Sequence, residues 1–170
     1  MGFLEDENLM LAESYLEQSE YGKAKEVLEQ ILEIDPGYGP AHNHLGWIYY
    51  ARLENLERAE YHYNLAIKFS PLYVNTYVNK VNLLSAMGRH EELLAFAKEA
   101  LEIPTISHAY INNMLGISHE RQGRFAAAEG FYLKAEKLEV DTETMNQYRE
   151  NRKRARLKYK RFERSFLSLI

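Results

Sequence analysis

Residues 40–71 read PAHNHLGWIYYARLENLERAEYHYNLAIKFSP, and this stretch decides the fold. It contains two amphipathic helical patterns joined by a short polar turn and closed by a proline. In the first, Leu45-Gly46 is followed by Tyr49. In the second, Ala59, Tyr63 and Ala66 recur at spacings of four and three, with Pro71 five residues on. Small residues let two helix backbones approach, and the aromatics fill the space beside them. The pattern recurs along the chain at about one repeat every 34 residues, the period of stacked helical pairs rather than of a single-core fold.

Outward from this stretch, the first repeat occupies about 5–38. Leu9, Leu11, Ala12, Tyr15 and Leu16 mark one helical face and Ala24, Val27, Leu28, Ile31 and Leu32 a second. Tyr21-Gly22 is expected to break between them, and Asp35-Pro36-Gly37 to stop the second helix. The second repeat spans 39–73, with an inter-helix turn (Ala51 to Asn55) one residue longer than its neighbours'. The third, 74–106, places Leu93 where the others have alanine, which predicts looser or shifted packing there. The fourth, 107–140, returns to type with Leu115-Gly116, His119, Gly123, Phe125, Ala128, Tyr132 and Ala135. Val140 stands where the other repeats have proline, so the chain is expected to enter its last helix without a sharp stop. From Asp141, Tyr148, Ala155, Tyr159, Phe162, Phe166 and Leu169 follow helical spacing along one stripe, with Arg and Lys elsewhere. A terminal repeat needs a cap, and 141–170 is the natural one.

Composition sets outer bounds. Apolar residues make up 46% and charged residues 27%, the balance of a folded soluble chain. There is no cysteine, which excludes disulfides, thiol catalysis and cysteine-ligated zinc. The beginning lacks the basic and apolar regions of a secretory signal, no apolar run is long enough to cross a membrane, and cytoplasm is the expected location. The net charge of −4 hides an asymmetry. Residues 141–170 hold nine Lys/Arg against four Asp/Glu, and the other 140 residues hold 12 against 21. An acidic body with a basic tail is a pattern of electrostatic partner choice or of self-docking.

The arrangement of Leu45-Gly46, Tyr49, Ala59, Tyr63, Ala66 and Pro71 resembles the tetratricopeptide repeat. So do Leu115-Gly116 with Gly123, Phe125, Ala128, Tyr132 and Ala135, and Ala24, Leu28, Ile31 and Pro36. The resemblance covers roughly 5–140. It implies an all-α, right-handed superhelical solenoid of antiparallel helix pairs, here with a long capping helix at the C-terminal end. The first helix of each pair then lines a concave groove that holds an extended peptide or a partner helix.

Helical geometry projects a set of side chains onto that groove, opposite the small residues that meet the paired helix. These are Asn43, His44, Trp47 and Tyr50 from the second repeat, and Asn75, Asn79 and Asn82 from the third. The fourth supplies Tyr110, Asn113, Met114 and Arg121. Asparagine is a poor interior helix residue, so several on one face suggest a use. Each amide offers a donor and an acceptor, and a row of them can pair with a peptide backbone, with the aromatics as anchors. Members of the resembled family that grip a terminal carboxylate do so with cations on successive first helices. The matching positions here include Leu9, Glu13, His44, Asn75 and Asn79, so that use is not expected.

The expected function is therefore non-catalytic: a protein–protein interaction module acting as adaptor, scaffold or chaperone-like subunit. The alternative is self-assembly through the terminal helix, with Arg152, Arg156, Tyr159, Phe162 and Phe166 as a tail interface, or an acidic or nucleic-acid partner bound by the basic run. Nucleic acid and membrane are not favoured, since the chain is acidic overall and has no second basic patch. The six histidines show no i, i+4 metal-binding pair, and no phosphate loop, nucleophile elbow or metalloprotease motif occurs. No cofactor, metal or catalytic residue is expected.

Overall fold

A computed structural model describes residues 3–167, with side chains from 6 to 164. The described residues form nine helices and no strand, the all-α class expected from the sequence. The chain divides into two compact units, Met1–Leu83 and Leu84–Ile170. Unit 1 contains α1 (Phe3–Glu17), α2 (Tyr21–Ile34), α3 (Gly39–Ala51), α4 (Leu56–Phe69) and most of α5 (Val74–Ala86). Unit 2 contains the end of α5, then α6 (His90–Leu101), α7 (His108–Arg121), α8 (Phe125–Leu138) and α9 (Thr142–Leu167).

Each unit is held by close approaches between small and large residues. A Cβ added to Gly46 would lie 2.5 Å from the Tyr63 ring, and one added to Gly116 would lie 2.6 Å from the Tyr132 ring. Hydrogen at these positions is therefore what lets α3 meet α4 and α7 meet α8. Both tyrosines are completely buried. In the first pair the same division of volume is made by Ala12 and Leu28, which share a core with Ala24, Ile31, Ala41, Leu45 and Ile48. In unit 2, Ala128, Tyr132 and Ala155 form one cluster and Ala109, Ala135 and Tyr148 another, so α9 is packed into the core. Leu93 is buried, with Ala97 and Ala100.

The turns inside the helical pairs share a left-handed residue: Ser19 (φ 61°), Glu54 (φ 50°), Gly88 (φ 68°) and Gly123 (φ 73°). This corrects the expectation at Tyr21-Gly22. Those two residues begin α2, and Ser19 makes the turn without a glycine. It also explains the longer turn after Ala51, where Glu54 takes the left-handed conformation and Asn55 caps α4 by accepting from the Arg58 amide at 3.0 Å. At the other junction, Glu139 is extended and Val140 is 95% exposed. The chain thus stops sharply between α8 and α9 even without a proline.

Candidate functional site

Unit 1 holds a cavity of about 430 Å³ between three helices. Its walls are Leu16 and Glu17 from α1, Asn43, His44 and Trp47 from α3, and Asn75, Val78 and Asn79 from α5. The spacing explains the convergence. Positions 43, 44 and 47, and 75, 78 and 79, each lie on one helical face. Leu16, Trp47 and Val78 give the wall an apolar centre, and amides, an imidazole and a carboxylate surround it. No Lys or Arg lines it.

Trp47 is half-buried and held from one side. The Tyr21 ring lies 6.0 Å away at 51°, and the Arg52 guanidinium sits 5.4 Å from the Trp47 ring and 4.2 Å from the Tyr21 ring. Such cation–π contacts fix an aromatic wall without filling the space beside it. His44 donates from Nε2 to Glu13 Oε1 at 3.1 Å. Burial pushes its pKa below the usual value, opposed by the Glu13 carboxylate, so the ring is neutral at pH 7.

The predicted row of asparagines takes a particular form. Asn79 Nδ2 donates to Asn43 Oδ1 at 2.9 Å in unit 1, and Asn151 Nδ2 donates to Asn113 Oδ1 at 3.0 Å in unit 2. Asn43 and Asn113 are buried, 2% and 8% exposed, so their acceptors serve the neighbouring helix rather than an incoming peptide. Asn75 is exposed and its Nδ2 lies 3.5 Å from the Tyr73 hydroxyl. Of the residues projected onto the groove, Asn43, His44, Trp47, Asn75 and Asn79 therefore converge on one cavity, while Tyr50 and Asn82 lie outside its walls.

Tyr110, Asn113, Met114 and Arg121 belong to unit 2, where the surroundings differ. Arg121 Nη1 donates to the Ser85 carbonyl at 2.7 Å. Beside it, Glu120 is the hub of a separate 280 Å³ cavity with Ile117, Arg121, Tyr132, Arg154 and Lys158. Glu120 Oε1 accepts from Arg154 Nε (2.9 Å) and Lys158 Nζ (2.8 Å), and Oε2 from Arg154 Nη2 (2.8 Å) and the Tyr132 hydroxyl (2.7 Å). Hydrogen bonding by Arg154, Lys158 and Tyr132 holds this carboxyl down at about 2. Glu136 likewise accepts from Arg149 and Arg152, both at 2.8 Å. Arg156 lies 3.8 Å from Glu129.

Much of the basic run thus docks α9 on its own unit. Arg152 and Arg156, predicted as tail-interface residues, make these internal pairs. Tyr159 is half-buried and Phe162 is 62% exposed, whereas the Phe166 side chain lies outside the described residues.

Two features escaped sequence reasoning. Glu120 stands 70 residues after Tyr50, so a carboxylate replaces an aromatic at one repeat position facing a basic helix. That mismatch was the available signal. His42 and His62 meet at 3.1 Å between Nδ1 atoms, with Tyr49 stacked on His62 at 5.3 Å and 12°. His42 Nε2 donates to the Pro36 carbonyl at 3.1 Å, leaving its Nδ1 to accept from His62. This pair joins different helices, and helical spacing alone could not reveal it. Among the described residues no group of three His, Asp or Glu is placed to hold a metal ion.

Comparison with known proteins gives the same fold. A family model for the tetratricopeptide repeat matches residues 9–73. No curated protein matches the chain in sequence. Among solved structures, the chain is similar to pilF of Pseudomonas aeruginosa, with a TM-score of 0.74 and 21% identity over 94% of this chain and 75% of that one. It is similar to PilW, a widely conserved type IV pilus biogenesis factor, with a TM-score of 0.76 and 20% identity over 94% and 77%. A thermophilic TPR protein of Thermus thermophilus gives a TM-score of 0.69 and 21% identity over 85% and 79%. Residues 9–73, from α1 to α4, thus match the tetratricopeptide repeat, and over the greater part of its length the chain shares the fold of solved structures that include a TPR protein.

Proposed function

We propose that the cavity of unit 1 binds a short segment of a protein partner, extended or helical, and that the chain acts without catalysis as an adaptor, scaffold or chaperone-like subunit. The general role as a protein-interaction module follows from the tetratricopeptide-repeat fold. The observation that carries the specific reading is the convergence of Trp47, Asn75 and Asn79 on one open cavity. One apolar side chain of the partner packs between Trp47 and Val78, and its flanking backbone amides bond to Asn75 and Asn79. Glu17 at the rim and the lack of cations in the wall favour a neutral or basic segment over a terminal carboxylate. The cytoplasm is the proposed location, and neither nucleic acid nor a membrane is a proposed partner.

Trp47 is the chain's one tryptophan, so its fluorescence reads the site directly. A peptide array screened on the full chain should yield binders that shift Trp47 emission. Trp47→Ala should then weaken them by roughly 30-fold, the scale of an aromatic hot spot of about 2 kcal/mol. Asn79→Ala should weaken them by roughly fivefold. Peptides that bind equally well to Trp47→Ala and Asn79→Ala chains would place the site elsewhere.

A further inference from the structure

From Lys160 to Arg164, α9 is without cover. Every residue from Lys160 to Arg164 is exposed, with Phe162 at 62%, and Leu157 just before them is 59% exposed. Phe162 continues the stripe that buries Tyr148, Asn151 and Ala155, so a packing surface runs on past the helices it packs against. Among the described residues the ion pairs that dock α9 run as far as Lys158, and Lys160, Arg161 and Arg164 lie beyond it. A helical segment standing alone in water is marginally stable, and one carrying exposed Leu and Phe among cations fits an acidic partner surface.

That chemistry is present at the opposite end of the same sequence. The segment Phe3–Glu17 has five Asp/Glu and no Lys or Arg, and residues 1–38 hold ten acidic groups against two basic. Met10 is 69% and Leu11 44% exposed on α1. Helical spacing puts Glu7, Met10, Leu11, Ser14 and Glu17 on one arc, a small apolar patch flanked by carboxylates. Ala12 faces the core from the other side. A symmetric α9–α9 contact would bring like charges together, since α9 has nine Lys/Arg against three Asp/Glu.

We propose that the free end of α9 in one copy of this chain docks on the outer face of α1 in a second copy. Leu157 and Phe162 meet Met10 and Leu11, and Lys160, Arg161 and Arg164 meet Glu7 and Glu17. The contact joins two different surfaces, so copies add head to tail or exchange their α9 ends reciprocally in a two-fold pair.

The test is light scattering on the full chain from about 10 µM to about 1 mM, at low and high salt. The wild type should gain mass with concentration, and less so at high salt. Reversing charge on α9 (Lys160→Glu, Arg161→Glu, Arg164→Glu) should raise the association midpoint roughly tenfold or more. Combining that variant with Glu7→Lys and Glu17→Lys should bring the midpoint back to within roughly threefold of the wild type. These are exposed positions, and circular dichroism checks that each variant remains helical. A wild type monomeric throughout overturns the proposal. So does a combined variant that fails to recover association.

Discussion

The second helical pair of unit 1 and the last pair of unit 2 are built alike and surrounded differently. Residues 41–50 and 111–120 have the same order of buried and half-buried positions, and Gly46 meets Tyr63 as Gly116 meets Tyr132. The helix that follows is joined in both cases by an asparagine pair, Asn43–Asn79 and Asn113–Asn151. The difference turns on one position. Unit 2 has Glu120, which draws in Arg154, Lys158 and Tyr132, and the seam is closed by charge. Unit 1 has Tyr50 there. The Tyr63 hydroxyl has no hydrogen-bond partner among the described atoms, and the cavity of unit 1 lies elsewhere, between α1, α3 and α5. A repeat framework sets backbone and packing, and a single residue decides whether a charged network joins the next helix.

The strongest way to break this comparison is to attack what the two pairs share. Gly46→Val and Gly116→Val each force atoms into a tyrosine ring against helical backbone, and each should cost about 3 kcal/mol of stability in urea unfolding. Nearly equal losses are expected, because the contact is the same.

A sharper cut is Glu120→Gln, which leaves Arg154 and Lys158 without their carboxylate. About 2 kcal/mol should be lost, and hydrogen exchange should show α9 opening while α3 and α4 keep their protection. Uniform loss across both units would mean that Glu120 does not act as a local anchor.

Acid should also separate the two units. His62 is held down at about 4 by burial and by the neighbouring His42 and Arg58, and burial lowers His42 as well. A histidine whose folded pKa is lowered contributes stability above its unfolded value of about 6.5, and that stability is lost as pH falls toward 4. Unit 2 has His119 shifted in the same direction by burial, but its Glu120 network keeps its charge until pH nears 2. Hydrogen exchange followed from pH 7 to pH 4 should therefore loosen α3 and α4 before α9. Replacing His62 with Gln should remove most of that dependence.

The smallest expected effects are at the turns. Unit 1 uses Ser19 and Glu54 in the left-handed region, where unit 2 uses Gly88 and Gly123. Ser19→Gly or Glu54→Gly should stabilise by roughly 0.5–1 kcal/mol, and Gly123→Ala should destabilise by about 1 kcal/mol. Thermal melts that move in the same direction for all three would contradict the assignment of strain.

Much of the fold was legible because its determinants are local. Leu45-Gly46 and Ala59-Tyr63-Ala66 specify two helices and the face on which each meets the other, all inside one repeat. The cavity was legible in part, since helical projection placed His44, Trp47, Asn75 and Asn79 on its walls. Projection could not show that the Asn43 and Asn113 amides are turned to Asn79 and Asn151, because that depends on the distance between successive pairs. Leu16 and Glu17 were missed for the same reason. Leu16 was read as packing and Glu17 was not singled out, and only the assembled unit shows where α1 ends beside α3. The Glu120 hub and the His42–His62 pair required partners from different helices to be brought together. Ser19 went unnoticed because nothing in a serine announces a left-handed backbone when a glycine stands three residues away.

The fit of Gly46 to Tyr63 and of Gly116 to Tyr132 has a consequence for how such a chain can grow. Each knob and its socket are written within one pair of helices, so a duplicated gene segment carries both halves of the joint. A copied segment arrives already able to close on itself, and selection can then act on its outer residues without re-solving the interior. Exchange of one half alone is penalised, whereas exchange of both together is tolerated. Inheritance in such a lineage should proceed by whole pairs.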